Sequence, residues 1–222
     1  MFNGGDGAAE ILPYIDYENI RRNPKRIGSY SDGTAILNAV SSQTGLVTYY
    51  GTAPGVFVDV RHYDYMQFRA HFVDGFSAKR FDPSGKRKTL SGGKCGGTLI
   101  GGYTTLFALM LSNKYLSVKN QDYILFLESH EKYGNVGMTA EELAFIEQTQ
   151  FMANVKGLIF GHYSVDVPHD LLHCLERFGA RHNIPVIYTD DFGHGTCHGI
   201  LPIGITATLD AENKLIELHD CH

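Results

Sequence analysis

The sequence predicts an α/β fold on three observations: short apolar runs that end in loops, amphipathic stretches that follow them, and glycine clusters at the junctions. Apolar runs of this length suit buried strands, and residues 26–30, 123–127, 157–160 and 184–189 read that way. Residues 33–41, 62–73, 104–111, 139–153 and 168–182 read as helices. The fourth opens on Thr139 and Glu142, a capping-box pair whose side chains satisfy free backbone donors. ITATLDAENKLIEL alternates around a polar turn and reads as a β-hairpin at a sheet edge. SGGKCGGTLIGG lacks the spacing of a phosphate loop and follows no clear strand, so it reads as a loop beside the cleft.

At 222 residues and 43% apolar content, the chain can bury one large core or two small ones. Its 24 acidic and 19 basic residues form no long run of either sign, so no nucleic-acid footprint is expected. The opening MFNGGDGAAE is not a secretory leader, and no segment of about 18 apolar residues occurs; the expectation is a cytoplasmic protein with no membrane partner. Cys95, Cys174, Cys197 and Cys221 are scattered without a C-x-x-C pair, which argues for reduced thiols. No cofactor is expected.

Three residues of complementary chemistry fall at carboxyl ends of expected strands, where sites assemble in open α/β sheets. Ser31 stands in KRIGSYSDGTAIL, between a strand and a helix, and so resembles half of a nucleophile elbow: Ser29 and Gly33 occupy the two flanking glycine places. The same position suits a helix N-cap. Glu128 closes YILFLE, and His194 lies in TDDFGHGTCHG beyond IPVIYT. A serine needs a base, and the base needs an acceptor that fixes its tautomer. Ser31, His194 and Glu128 fit those roles across spacings of 97 and 66 residues. Taken singly, Glu128 also suits an ion pair and His194 a solvated loop; Glu131 is the reserve acid.

GGDGAAEILPYIDY, PKRIGSYSDGTAIL, LIGGYTTLFALMLSNKY, ILFLES and GHGTCHGILPIG, taken in this order, resemble the LD-carboxypeptidase family, which includes microcin-immunity peptidases. The resemblance implies Ser31 as nucleophile with Glu128 and His194 completing a triad. It also implies an incomplete, flavodoxin-like N-terminal α/β domain at 1–60, a linker at 61–90 and a C-terminal α/β domain at 91–222, with the site between them. The implied reaction removes a terminal D-alanine from a murein tetrapeptide through an acyl-enzyme. The N–H of Asp32, with that of Gly4 or Gly5, is the expected oxyanion hole, and Tyr103 and Asn3 are expected near the substrate. A homodimer is expected from the family, as is a β-α segment ahead of the Gly-Gly motif, which this sequence does not contain.

Two other readings stand beside this one. A protein that keeps the fold without turnover would preserve the geometry but not a reactive Ser31. A metal hydrolase would draw on His194, Cys197, His198 and the terminal His219-Asp-Cys-His222, although the spacing matches no common zinc motif. His130, His162, His169, His173 and His182 read as surface residues, and Arg61, Arg69 and Arg80 are equal candidates to read a substrate carboxylate.

Overall fold

The computed structural model describes residues 1–59, 61–75, 79–85 and 87–219. A loop and a short turn at Leu12–Tyr14 lead into α1 (Tyr17–Arg22), β1 (Ile27–Ser29), α2 (Thr34–Thr44) and β2 (Thr48–Tyr50). Next come α3 (His62–Phe68), a wider turn at Arg69–Val73, β3 (Arg87–Ser91), β4 (Lys94–Tyr103), α4 (Thr104–Met110), β5 (Tyr123–Glu128) and α5 (Val136–Glu147). The chain closes with β6 (Val155–His162), α6 (His169–His182), β7 (Val186–Gly193), β8 (Leu201–Ile203) and the expected hairpin, β9 (Thr206–Asp210) with β10 (Leu215–Leu218).

Two sheets result, and the α/β class is as the sequence predicts. The larger has the order β10-β9-β4-β5-β6-β7-β3, with a parallel centre from β4 to β7 and antiparallel edges. The smaller has the order β1-β2-β8: β1 and β2 pair in parallel, and β8 joins them antiparallel from far along the chain. Successive residues of β5 point to opposite faces. Leu125 and Leu127 enter one core with Phe107, Leu143 and Leu175 of α4, α5 and α6. Ile124 and Phe126 enter a second core with Tyr50, Leu201 and Ile203 of the small sheet. That second core binds the sheets together and brings their carboxyl ends close to one another.

Three local expectations are corrected. SGGKCGGTLIGG is strand, not loop, because its glycines serve close packing: a Cβ on Gly101, whose φ is +147°, would lie 1.7 Å from the Phe126 carbonyl oxygen of the neighbouring strand. Helix α5 starts at Val136, not Thr139, because the Asn135 side chain caps it, accepting the Met138 N–H at 3.0 Å. Thr139 is consequently buried in the helix body, its hydroxyl 3.4 Å from that of Ser129. The helix expected over 62–73 is α-helical only to Phe68 and then widens.

Candidate active site

Ser31 follows β1 at the turn into α2 and adopts φ +56°, a left-handed conformation that costs a non-glycine residue about 1 kcal/mol or more. Local bonds hold it there. The Thr34 hydroxyl donates to the Ser31 carbonyl at 2.6 Å and accepts the Tyr103 N–H at 2.9 Å, tying the turn to the end of β4. Gly102 leaves room for Thr34, since a Cβ there would lie 2.5 Å from its hydroxyl.

The three residues meet. Ser31 Oγ lies 3.0 Å from His194 Nε2, and His194 Nδ1 lies 2.9 Å from Glu128 Oε2. Glu128 is fully buried and the His194 side chain is 11% exposed, so the hydrogen-bonded chain runs from the interior to a cavity wall. Carbonyl and carboxylate are held separately: the Thr104 hydroxyl donates to the Glu128 backbone oxygen at 2.8 Å. Glu131, in contrast, is exposed on the following loop, its N–H bonded to the Tyr163 carbonyl.

The cavity above Ser31 holds about 540 Å³ and is lined by Gly4, Gly5, Asp6, Asp32, Tyr103 and Thr105 among others. The loop at residues 4–8 is drawn over the turn by Asp32, whose carboxylate accepts the Ala8 N–H at 2.8 Å. A Cβ on Gly4 would lie 2.9 Å from the Ser31 Cβ, so only glycine allows this approach. Among the described residues, the Gly4 and Gly5 N–H groups have no acceptor. Asn3 points elsewhere, its side-chain oxygen accepting the Gly55 N–H at 3.3 Å.

Aromatic rings surround His194: Tyr30, Tyr103 and Tyr133 lie 5.3, 5.5 and 5.4 Å from it, centroid to centroid. Burial, followed by the Glu128 charge, pushes the Tyr103 hydroxyl up to about 12. His130 and His162 are not surface residues. Both are buried, and their rings extend the cluster in 5.9 Å steps from His194 to His130 to His162. Burial, reinforced by the His194 and His162 rings, lowers the His130 pKa. His162 is paired with Asp190 at 2.8 Å. Sequence reasoning missed both because strand-end position, not composition, brings them inward.

The candidate arginines lie off the cavity. Arg61 donates to the Thr196 carbonyl, Arg69 pairs with Asp74 at 2.9 Å, and the backbone of Arg80 forms an isolated antiparallel bridge with that of Glu217 at the sheet edge. Among the described residues lining the cavity there are two carboxylates, Asp6 and Asp32, and no Lys or Arg. His194 engages Ser31 and Glu128 through its two ring nitrogens. No group of three metal-capable side chains occurs among the described residues, and residues 220–222 of the terminal tail lie outside them.

Arg61 and two side chains of α3 set the segment that follows His194. Asp64 accepts the His198 N–H at 2.8 Å and Gln67 accepts the Ile200 N–H at 3.1 Å. No sequence motif marks Asp64 or Gln67. Their spacing of three, which puts two polar side chains on one face of a helix otherwise rich in Tyr, Met and Phe, is the signal that could have found them.

Residues 96–209 match the model of the LD-carboxypeptidase C-terminal domain, and residues 1–51 match that of the N-terminal domain. The chain belongs to the LD-carboxypeptidase family. Among its relatives, a Vibrio cholerae protein named "putative carboxypeptidase" is 29% identical over 98% of this chain and 73% of its own length. A Bacillus subtilis protein named "probable murein peptide carboxypeptidase" is 30% identical over 95% of this chain and 68% of its own. The Escherichia coli microcin C7 self-immunity protein MccF is 25% identical over 97% and 71%. The crystal structure of an MccF-like protein of Bacillus anthracis superposes with TM-score 0.82 at 26% identity, covering all of this chain and 75% of the other. MccF in complex with aspartyl sulfamoyl adenosine shares the fold at TM-score 0.83 and 22% identity, covering 98% and 74%. The family's α/β architecture therefore extends over the whole chain. No helix among the described residues is long and apolar enough to cross a membrane.

Proposed function

We propose that this member of the family is a serine peptidase that removes a terminal D-amino acid from an L,D-peptide, with a murein tetrapeptide met in the cytoplasm as substrate. The single observation that carries the reading is the continuous contact from Ser31 Oγ through His194 to Glu128, at 3.0 and 2.9 Å. In this reading the Ser31 hydroxyl attacks the scissile carbonyl while His194 Nε2 takes its proton. Glu128 holds Nδ1–H, which leaves Nε2 as the acceptor and stabilises the imidazolium that forms. Collapse of the tetrahedral adduct expels D-alanine, protonated by His194. Water, deprotonated by the same nitrogen, then releases the acyl group and restores Ser31.

The oxyanion is assigned to the Asp32 N–H with that of Gly4 or Gly5. The close approach of Gly4 to Ser31, and the absence of another acceptor for the Gly4 and Gly5 donors among the described residues, support this. The terminal carboxylate would meet the hydroxyls of Tyr103 and Tyr133, which line the cavity where a guanidinium was expected; the neighbouring Thr105 hydroxyl already donates to Glu142. Incubation with a tetrapeptide ending in D-alanine, beside Ser31→Ala, tests this. Release of D-alanine by the parent alone is the expected result, and no release from a folded parent overturns it.

A second reading is an aminoacyl-nucleotide hydrolase of the MccF kind, favoured by the tyrosine-walled cavity, which suits a planar base. It predicts cleavage of aspartyl adenylate analogues, with the same dependence on Ser31 and without D-alanine release from the tetrapeptide.

A further inference from the structure

Tyr50 ends β2 on the small sheet, with no exposed surface, and its ring packs 5.6 Å from Phe126 of the large sheet. Its hydroxyl accepts the Ser31 N–H at 3.1 Å and donates to Glu128 Oε1 at 2.5 Å. The direction of both bonds is fixed by chemistry: a backbone N–H can only give, a carboxylate can only take, and a phenol has one proton and free lone pairs. One buried oxygen thus touches both ends of the Ser31–His194–Glu128 chain, from the sheet opposite the one that carries Glu128.

We infer that Tyr50 is a positioning residue of the site, locking the Glu128 carboxylate toward His194 and the Ser31 backbone into its left-handed turn through one shared hydroxyl. This rests on the peptidase reading for its kinetic consequence, but not for its geometry. With Oε1 occupied by Tyr50, Oε2 remains for His194 Nδ1–H, so the acid presents one oxygen to one nitrogen. Because the Ser31 N–H is already engaged, it is not available to a substrate oxyanion, which agrees with assigning that role to Asp32 and the Gly4–Gly5 loop. Burial, and then the adjacent Glu128 charge, raise the Tyr50 hydroxyl well above its ordinary range, so it stays protonated and keeps donating.

The Glu128–His194 pair is faced by Tyr50 from β2, Tyr30 from the Ser31 turn, Tyr103 from the end of β4, His130 and Tyr133 from the loop after β5, and His198 from its own loop. Of these, only Tyr50 and His194 hydrogen-bond the carboxylate among the described residues. Loss of the phenol donor leaves Oε1 bare and makes a proton on the pair easier to hold, so the pair should titrate at higher pH.

The test is Tyr50→Phe, with His194 followed by imidazole NMR across pH and kcat/KM measured on the tetrapeptide. The expected result is a rise of about one pH unit in the His194 titration, a tenfold gain in proton affinity. The acid limb of kcat/KM should move the same way, with kcat lowered about ten- to a hundredfold and KM little changed. An unmoved His194 titration in folded Tyr50→Phe overturns the inference, even if activity falls, since a merely structural role would leave it in place. Should Tyr50→Phe not fold, 3,5-difluorotyrosine at position 50 keeps the ring and strengthens the donor. The His194 titration must then move down, and an unmoved titration overturns the inference equally. A shifted titration in a chain whose parent releases no D-alanine upholds Tyr50 and sinks only the peptidase reading.

Discussion

The carboxylate of Asp32 accepts the backbone N–H of Ala8 at 2.8 Å, so the residue after Ser31 holds down the loop that passes over it. The bond spans 24 positions and ties residues 4–8 directly to the Ser31 turn. Asp32→Ala should release the loop, lowering kcat/KM about ten- to a hundredfold while costing about 1 kcal/mol of stability. Steady-state kinetics beside thermal melts checks this, and a large loss of stability with unchanged kinetics would assign the bond to folding alone.

Strain at Ser31 gives a prediction of opposite signs. Its φ of +56° is one that glycine adopts freely. Ser31→Gly should abolish hydrolysis yet stabilise the fold by about 1 kcal/mol, seen as a melting temperature about 2–4 °C higher. A lower melting temperature would show that the serine side chain contributes more to stability than its backbone costs.

Arg87 and Asp191 form a buried ion pair at 2.8 Å, with side chains 3% and 0% exposed. Asp191 also accepts from the Ser84 N–H and hydroxyl, the Gly85 N–H and the Thr189 hydroxyl, and it therefore anchors Ser84, Gly85 and Arg87 to β7. Asp191→Ala should destabilise by about 3–5 kcal/mol, because it strands a buried guanidinium. The double replacement Arg87→Met with Asp191→Leu should cost clearly less, which denaturant titrations of the three chains will decide.

His71 is 1% exposed beside Tyr49, and burial lowers its pKa from 6.5 to about 4. The unfolded chain then takes up this proton first. Stability from this site is complete above pH 6.5, falls as pH drops through the window from 6.5 to about 4, and levels off below it. The loss should reach about 3 kcal/mol. His130 and His198, also lowered chiefly by burial, act in the same sense. In His71→Phe the slope of stability against pH between those limits should flatten, and an unchanged slope would place the acid sensitivity elsewhere.

The parallel centre of the large sheet was legible because strands buried on both faces leave continuous apolar runs, as YILFLE does. β4 was not, because four of its ten residues are glycine; in a sequence these signal turns, while in the fold Gly101 and Gly102 admit Phe126 and Thr34. Ser31, Glu128 and His194 were legible as strand-end residues with complementary chemistry. Tyr50, His130 and His162 carry no local motif; their part in the site arises from which strand end faces which. The short β2 and β8 pair residues 151 to 155 positions apart, a contact that no short window of sequence contains.

The proposed chemistry makes Ser31 a nucleophile activated by His194. Its most direct test is covalent labelling with an activated fluorophosphonate, read by intact and peptide mass spectrometry in the parent, Ser31→Ala and His194→Gln. One adduct on Ser31 is expected, with none in Ser31→Ala and labelling slowed by about a thousandfold in His194→Gln. A folded parent that takes no label, or a His194→Gln chain that reacts at the parent's rate, would contradict it.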